Sequence, residues 1–452
     1  MTTKPLGANY VKLWSSSVIS NFGDGLATVA YPWLASSVTR SPIHLAGIVI
    51  ATRLPWALFT LPAGVITDRY DRRRIIGWMD SFRFGLTLAV AAIVAGGAST
   101  FPDPAELALG TADAPANASL YLVVLYVSAL LFGMAEVLRD NAAQTLMPSV
   151  VDKDQLEKAN GRLWGAEMVM NSFVGPPLAG VLIAVALALP FYVDAATFIV
   201  SAVLIFTIAG DFRPGDRSGE SSGKIEWWGE IKKGVSWLWG HRLLRALAII
   251  LGVLNAMTMV AMTTYVFFAQ EILGLNASQF GLLMTAGAAG GVLGSMVASK
   301  VSERLGSGTS LFVSIVVMAL QLVVTGLTSS AVVVWVAFFL GTMWAVVWNV
   351  ITVSLRQQII PDELLGRVNS VYRFFAWGMM PVGALLGGAI VAVSEAFTSR
   401  ETALRMPYFF AAAVLVAIFF VALPRLNTSK LEGARSAAQV DSVDAPEASG
   451  SA

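Results

Sequence analysis

The residues with chemistry to offer in this 452-residue chain are the polar and charged side chains that interrupt its long apolar segments. A charge at the centre of a membrane costs on the order of 3 kcal/mol, so each one needs a partner or a water-filled cavity. In the first apolar segment, polar residues recur at intervals of four, three, four and three: Ser17, Asn21, Asp24, Thr28 and Tyr31. This spacing puts them on one face of a helix. Asn21 and Thr28 are therefore predicted to line a substrate cavity.

Asp24 and Arg53 are the first candidates for proton coupling, because they lie at similar depths in successive apolar segments. As a pair they would neutralise two costly charges, which is a purely structural role. A carboxyl that alternates between Arg53 and water would instead take up and release a proton. The sequence leaves both interpretations open.

Three further acidic residues lie within apolar segments. Glu167 has Asn171 one turn away and no basic residue nearby in sequence, so Glu167 is the alternative proton-coupling site and Asn171 a cavity candidate. Glu136 shares a helix face with Arg139, which fits either a gate network or solvation at the membrane surface. Asp194 is predicted to be solvated at the surface, because it comes early in its segment.

Two tryptophans occur one turn apart in a later apolar segment. Trp344 and Trp348 share a helix face, with Asn349 beside it. Because tryptophan stacks on flat or cationic ligands, these three residues are candidates for the substrate cavity. Packing against lipid is the other interpretation of the same pattern.

The segment GVITDRYDRRR carries a dense group of charges between two apolar segments. Asp68 lies one helical turn from Arg72, where a carboxylate can accept hydrogen bonds from basic side chains and face the positive N-terminal end of a neighbouring helix. The candidate gate residues here are Gly64, Asp68, Arg69, Arg72 and Arg73. Anchoring of the arginines at the membrane surface is the simpler interpretation.

Long apolar helices must position these residues, and the composition of the chain is typical of such helices. Hydrophobic residues make up 56% of the chain and charged residues 13%, against about 25% charged in an ordinary soluble domain. Mean hydropathy is +0.69. Crossing a bilayer takes roughly 20 apolar residues. An all-α integral membrane protein with twelve transmembrane helices is therefore predicted, at residues 10–36, 44–67, 75–97, 118–140, 160–188, 190–210, 244–270, 278–300, 308–328, 330–355, 367–393 and 403–424.

The chain also contains an approximate repeat. The same four residue types, in the same order, open an apolar segment in each half: Gln144, Pro148, Leu156, Asn160 and Gln357, Pro361, Leu365, Asn369. Duplicated apolar halves are typical of secondary transporters. The predicted organisation is an N-terminal six-helix half (1–210), a cytoplasmic linker with an amphipathic helix (211–243), a C-terminal six-helix half (244–424) and a disordered cytoplasmic tail (425–452).

Basic residues predict the orientation of these spans. An even number of spans puts both termini on one side of the membrane. With that side in the cytoplasm, all but four of the 30 Lys and Arg lie in inward loops, tails and adjoining span ends, as the positive-inside rule requires. Residues 98–118, which contain acidic but no basic residues, are then external.

The charged loop and the twelve-span repeat resemble the major facilitator superfamily, whose signature loop joins the second and third spans. The segments RLPWALFTLPAG, NAAQTLMPSVV, PFYVDAATF and LWGHRLLRAL are similar to its bacterial branch of enterobactin exporters and macrolide efflux proteins. The resemblance covers residues 10–424, and it implies that Asp68 faces the eleventh span and latches the inner gate. Asp71 stands where the superfamily loop usually has glycine, and we expect it to adopt a left-handed turn there.

The same resemblance implies the function. We expect a secondary active transporter of the bacterial cytoplasmic membrane that exports small amphiphilic molecules, of drug, macrolide or siderophore type, by proton-coupled antiport. The alternatives are an importer of a small metabolite and a transporter-fold sensor without flux. The sequence lacks cysteine and the motifs GxxxxGK[ST], HExxH and GxSxG, so no enzyme is predicted. No cofactor, metal or nucleic acid is expected. The expected partners of the monomer are a small-molecule substrate, protons and the lipid bilayer.

Overall fold

The computed structural model describes residues 6–67, 69–210, 212 and 227–433. All regular structure in these ranges is helical. The α-helices are α1 (Ala8–Val38), α2 (Pro42–Leu58), α3 (Thr60–Thr67), α4 (Arg72–Gly96), α5 (Pro104–Leu109), α6 (Ala118–Val150), α7 (Leu156–Met168), α8 (Gly175–Val185), α9 (Leu189–Phe206), α10 (Trp227–Gly240), α11 (Arg242–Met262), α12 (Tyr265–Phe267), α13 (Ala277–Leu305), α14 (Ser307–Leu327), α15 (Ala331–Ile359), α16 (Asp362–Glu395) and α17 (Arg400–Ala422).

Ten helices of the described residues are long and apolar enough to cross a membrane, and they coincide with the third to twelfth predicted spans. The first predicted span coincides with α1, which is 31 residues long and carries the polar stripe. The second coincides with α2 and α3 together. α2 ends at Leu58, and Pro62 lies in the first turn of α3. Because Pro62 cannot donate a hydrogen bond to the carbonyl of Leu58, the helix is interrupted there.

The fifth span bends where α7 passes into α8 through a π-helical turn, Val169–Val174. Pro176 and Pro177 follow in the first turn of α8 and donate no backbone hydrogen bonds, so the wider turn before them loses few bonds. The bend brings α8 against α1. A Cβ added at Gly175 would lie only 2.5 Å from the Cα of Gly25. Glycine at both positions therefore lets the two helices cross backbone to backbone.

The spanning helices pack as two groups. One contains α1 to α4 and α6 to α9, and the other contains α11 and α13 to α17. The groups meet chiefly where α2 packs on α16 and where α8 packs on α13. Glycines make both contacts close. A Cβ at Gly388 would lie 2.7 Å from the carbonyl oxygen of Pro42, and one at Gly281 would overlap the carbonyl oxygen of Pro176.

The two ends of the bundle differ in how the groups meet. We call the end with the loops at 39–41, 97–117, 186–188, 273–276, 328–330 and 396–399 the distal face, and the opposite end the terminal face. Four hydrogen bonds between described residues join the two groups at the distal face. We call the contact between the two groups the seam. Closer to the terminal face, the rings of Trp56 and Trp377 stack across the seam with centroids 5.5 Å apart. The groups are therefore held together at the distal face.

Helix α10 falls within the segment predicted to form an amphipathic linker helix, and it packs on α16 and α11. Leu238 is buried and Lys232 is exposed. Of the linker residues before α10, only Phe212 is described, and residues 211 and 213–226 lie outside the described residues. The predicted disorder of the tail is wrong for its first part, because Leu426 and Leu431 are fully buried in the apolar core. Residues 434–452 lie outside the described residues.

Candidate functional site

A network of buried charges lies inside the first group of helices. At its centre is Arg83 of α4, whose side chain is wholly buried. Arg83 forms an ion pair with Asp24 of α1 and donates from Nη1 to Ser20 Oγ at 3.1 Å. The predicted pairing of Asp24 with Arg53 is therefore wrong. Depth along a span says nothing about which neighbouring helix a side chain faces, and here the long Arg83 side chain reaches Asp24 from the third span.

Asp80 lies one turn before Arg83 and joins four helices. Its Oδ1 lies 3.1 Å from Arg139 Nε and 3.6 Å from Arg83 Nη1. Its Oδ2 accepts a hydrogen bond from Ser201 Oγ at 2.6 Å, and Ser201 is hydrogen-bonded to Ser16 at 2.6 Å. The network thus connects α1, α4, α6 and α9. The predicted gate residue Arg139 belongs to it.

Aromatic rings and charge balance make the burial of Arg83 possible. Its guanidinium carbon lies 4.0 Å from the centroid of the Phe198 ring and 4.4 Å from that of Phe132, within cation–π distance. In the buried part of the network, two guanidiniums are matched by two carboxylates. Removing one member would leave an uncompensated charge in a dry interior.

Asp80 and Arg83 are not among the predicted site residues, although the sequence carries a signal for them. An acid and a base three residues apart lie on one face of a helix. In the middle of an apolar segment, neither charge could remain without a partner. That spacing within the third predicted span could have identified α4 as a charge-bearing helix.

Asp24 is the member of the network that lies on the polar face of α1, with a side chain 15% exposed. Asn21 and Thr28 lie on the same face of α1 and are also partly or fully exposed. Asn171, in the π-helical turn of the fifth span, places its amide nitrogen 3.5 Å from Asn21 Oδ1. The polar stripe of the first span therefore forms one accessible face, and Asn171 adjoins it.

The other charged candidates occupy different surroundings. Arg53, Glu136 and Glu167 are each half-buried, and none of their side chains forms an ion pair or hydrogen bond with another described residue. Their coupling and gate roles stay predictions. The prediction that Asp194 is solvated at the surface is wrong. It is only 1% exposed, because the backbone of Gly23 in α1 lies against its carboxyl.

The charged loop between the second and third spans is described except for Asp68, which lies outside the described residues, so its latch stays a prediction. Arg72 and Arg73 donate to backbone carbonyls near the terminal-face ends of α6 and α9, at 3.1 and 2.7 Å. Arg69 is exposed. Gly64 has open space around the position that a Cβ would take. The two bonded arginines thus tie the loop to its own half of the protein.

Asp71 does not adopt the expected left-handed turn, since its φ is −59° and its ψ is 112°. Its carboxyl instead caps the N-terminus of α4. It accepts hydrogen bonds from the backbone nitrogens of Arg73 at 2.9 Å and Arg74 at 3.4 Å. Such a cap contributes about 1 kcal/mol. The side chain that replaces the usual glycine therefore stabilises the first turn of the third span.

The three residues of the predicted tryptophan face of α15 do not line a single cavity. Trp348 is only 2% exposed and lies in the core of the second group, whereas Asn349 is exposed and Trp344 half-buried. Trp344 and Asn349 keep the access that a substrate contact requires. The stacked pair of Trp56 and Trp377 lies directly on the seam and was not predicted.

A family comparison agrees with this architecture over nearly the whole chain. The model of a family described as transmembrane secretion effector, within the major facilitator superfamily, matches residues 3–447. The chain belongs to this family. The multidrug efflux pump Tap of Mycolicibacterium fortuitum is 24% identical over 419 residues, which cover 91% of this chain and 95% of Tap. The chain is thus a multi-pass membrane transporter of the major facilitator type.

Solved structures of transporters share the fold at low identity. The nucleoside transporter NupG has a TM-score of 0.72 at 10% identity, covering 93% of this chain and all of NupG. A bacterial homologue of the iron transporter ferroportin has a TM-score of 0.67 in its inward-facing state, at 16% identity, covering 92% of this chain and 98% of its own. The predicted fold class, an all-α membrane protein of the major facilitator fold, is confirmed.

In this transporter a cluster of charges closes the distal face. Arg400 Nε and Nη2 lie 2.9 and 3.0 Å from the two carboxylate oxygens of Glu271. Arg40 Nη1 lies 3.5 Å from Glu271 and donates to Gln270 Oε1 at 2.6 Å. Both guanidiniums lie over the ring of Phe267, at 5.2 and 5.1 Å. Arg40 belongs to the first half and the other residues to the second, so the cluster joins the halves.

The Asp24–Arg83 pair predicts how substitutions affect stability. In Arg83→Gln, Asp24 keeps a buried charge without its partner, which should cost about 3–5 kcal/mol. We expect lower abundance in the membrane and a lower melting temperature of the purified protein. Adding Asp24→Asn should restore much of both, because no unpaired charge remains.

Arg53→Gln is the matched control for that experiment, since Arg53 forms no ion pair with a described residue. It should change abundance and melting temperature far less than Arg83→Gln does. If Asp24→Asn rescued Arg53→Gln and failed to rescue Arg83→Gln, the pairing in the structure would be refuted.

The distal cluster predicts a shift between conformations. Glu271→Gln removes the carboxylate that two arginines share, and charge-assisted bonds contribute about 1.5–3 kcal/mol each. The population with the distal face open should therefore rise by about ten-fold or more. Pairs of spin labels on the loops at 97–117 and 328–330 report the distance between the halves, and the cysteine-free chain allows unique labelling.

Glu401→Gln serves as the control for the distal cluster. Glu401 also lies at the distal face and bonds an arginine, but its partner Arg405 is on the same helix and its side chain is 65% exposed. Its distance distribution should match that of the unsubstituted protein. Identical distributions for Glu271→Gln and Glu401→Gln would show that the cluster does not hold the halves together.

Proposed function

We propose that this transporter exports small amphiphilic molecules across the bacterial cytoplasmic membrane in exchange for protons. The likeness to an efflux pump across nine-tenths of the chain supports export. The observation that carries proton coupling is the charge network, in which the partly exposed carboxylate of Asp24 pairs with a guanidinium that is wholly buried. A coupling site needs this combination of access and conditional pairing.

Asp24 can take up a proton without leaving Arg83 unpaired. When Asp24 is neutral, Arg83 still has Asp80 at 3.6 Å, and Asp80 also lies beside Arg139. One carboxylate then serves two guanidiniums, which costs less than an isolated buried charge. Protonation thus loosens the hold of α4 on α1 and leaves the rest of the network in place. Glu167 is the alternative coupling residue.

The substrate pathway in this proposal lies along the seam. Asn21, Thr28 and Asn171 present polar groups from the first half, and Trp344 and Asn349 are the accessible candidates from the second. This combination of amide groups and aromatic surface suits molecules that are partly polar and partly apolar.

The stacked pair of Trp56 and Trp377 adds aromatic surface on the seam itself. The two rings belong to different halves, so any separation of the halves there would expose both faces. Flat, cationic ligands stack on such faces. Drugs, macrolides and aromatic siderophores are the substrate classes that this surface favours.

The conformation supports alternating access between two arrangements. The charge cluster closes the distal face here. In the opposite arrangement, we propose that the cluster separates and that Asp68 latches the terminal face against the eleventh span. With both termini in the cytoplasm, the structure would correspond to the inward-facing state of a monomer.

Transport into inverted membrane vesicles tests the function. With an acidic lumen, we expect a dye, a macrolide or a catecholate siderophore to accumulate inside, and its addition should raise the luminal pH. Asp24→Asn should still bind substrate but fail to accumulate it, since the amide cannot carry the proton. Glu167→Gln should keep both activities.

Other outcomes of that assay would indicate a different function or a different coupling residue. Movement of substrate out of the lumen together with protons would identify an importer, and binding without flux would identify a sensor. Loss of coupling in Glu167→Gln alone would transfer the coupling role from Asp24 to Glu167.

Orientation is tested by labelling single cysteines in intact cells with a membrane-impermeant reagent. Ala112→Cys, in the loop at 97–117, should react from outside. Ser221→Cys, in the linker, should react only after the membrane is opened, because the basic terminal face belongs in the cytoplasm. The reverse pattern would contradict the proposed topology.

A further inference from the structure

Asp194 of α9 is a buried carboxyl that the charge network leaves without a partner. It is 1% exposed, and neither of its carboxylate oxygens accepts a hydrogen bond from a described residue. The neighbouring Thr197 hydroxyl donates to the backbone carbonyl of Asp194, at 2.7 Å. The Thr197 oxygen is thus free to accept a bond, as it would from a protonated carboxyl.

The carboxyl of Asp194 lies directly against α1. A Cβ added at Gly23 would overlap both Asp194 Oδ1 and Thr197 Oγ1. Gly23 immediately precedes Asp24, whose side chain pairs with Arg83. Successive residues of an α-helix point about 100° apart, so the two carboxyls lie on neighbouring sides of a short stretch of α1, and a movement of that stretch alters the surroundings of both.

Among the described residues, few charged groups face Asp194. They are Asp24 from α1 and Arg83 from α4, with the phenol of Tyr31 from α1 as a further titratable group. Helix α8, which also packs on α9, has no titratable side chain. Because the two guanidiniums of the network are matched by two other carboxylates, none is left for Asp194. An ionised carboxylate without a partner would be very costly in this interior, so Asp194 carries a proton in this conformation.

Arg83 is placed to serve either carboxyl. Its guanidinium lies 4.0 Å from the ring of Phe198, and Phe198 is one helical turn from Asp194 on α9. Residues four apart on a helix are neighbours on one face. A shift along this face would carry Arg83 from Asp24 toward Asp194.

We propose that Asp194 is a second proton-binding site and that Asp24 and Asp194 alternate as the anionic partner of Arg83. In this conformation Asp24 is ionised and paired, and Asp194 holds the proton. In the other, Asp24 takes a proton from water on the distal side, Asp194 releases its own to water on the terminal side, and Arg83 stays cationic and pairs with Asp194. On return the proton passes from Asp24 to Asp194, so one proton crosses the protein in each cycle. The buried charge is the same before and after. This inference rests on the proposed proton coupling.

Infrared spectroscopy of the protein in lipid tests the protonation of Asp194 directly. The unsubstituted protein at neutral pH should show a C=O stretching band of a protonated carboxyl that disappears in Asp194→Asn. The band should remain in Asp113→Asn, a control that changes an exposed carboxylate of the distal loop. Thr197→Val keeps the carboxyl but removes its hydrogen-bond acceptor, so the band should shift to higher wavenumber. The Thr197→Val variant also provides the test if Asp194→Asn fails to fold. A spectrum in which neither change affects such a band would overturn the proposal.

Transport measurements separate this inference from the proposed function. Substrate-driven proton movement should fall roughly ten-fold or more in Asp194→Asn at unchanged substrate binding and melting temperature, because an amide binds no proton in this range. If the unsubstituted protein moves protons and Asp194→Asn moves them equally well, the role of Asp194 is refuted and the antiport stands. If the unsubstituted protein moves none, the antiport is refuted, whatever the infrared band shows.

Discussion

A charge in the dry interior of a membrane protein must have an opposite charge against it, and this requirement organises the N-terminal half of the transporter. Asp80 meets it by forming an ion pair with Arg83 and accepting hydrogen bonds from Arg139 and Ser201, and these three residues come from three different helices. The ion pair of Arg83 with Asp24 adds α1. Apolar residues of similar volume could hold these helices as firmly. The charges add a fixed relative position of the four helices.

The seam between the halves combines close backbone packing with a small cluster of charged residues. Glycines at 281 and 388 bring backbone against backbone near the distal face, which gives close packing without a large interlocking side-chain core. A compact charge cluster around Glu271 adds the hydrogen bonds that join the halves. Its bonds contribute a few kcal/mol in total at this partly wet surface. A closure of that strength holds one conformation and still allows the other to be reached.

Helix α1 connects these two parts of the molecule. Its accessible face carries Asn21, Asp24 and Thr28, and a neighbouring side packs on α9 through Gly23. At its distal end, Ser36 accepts a hydrogen bond from Gln270 of the other half at 2.8 Å. A change in the charge network and a change at the distal face therefore act on the same helix. Under the proposed proton coupling, α1 is the element through which the charge network would act on the distal face.

The amino-acid sequence alone determined the spans, the class of fold and the polar face of α1, because hydrophobic length and helical periodicity are local properties of a chain. Which helix a charge faces is not local. The sequence placed Asp24 and Arg53 at similar depths, yet Arg83 is the partner. It placed Asp194 near a surface, yet the backbone of Gly23 covers it. Neither Arg40 nor Arg400 is among the residues predicted to form a site, and the tertiary structure brings both to Glu271. A partner is chosen by the rotation and packing of helices far apart in sequence, and those depend on all contacts of the bundle at once.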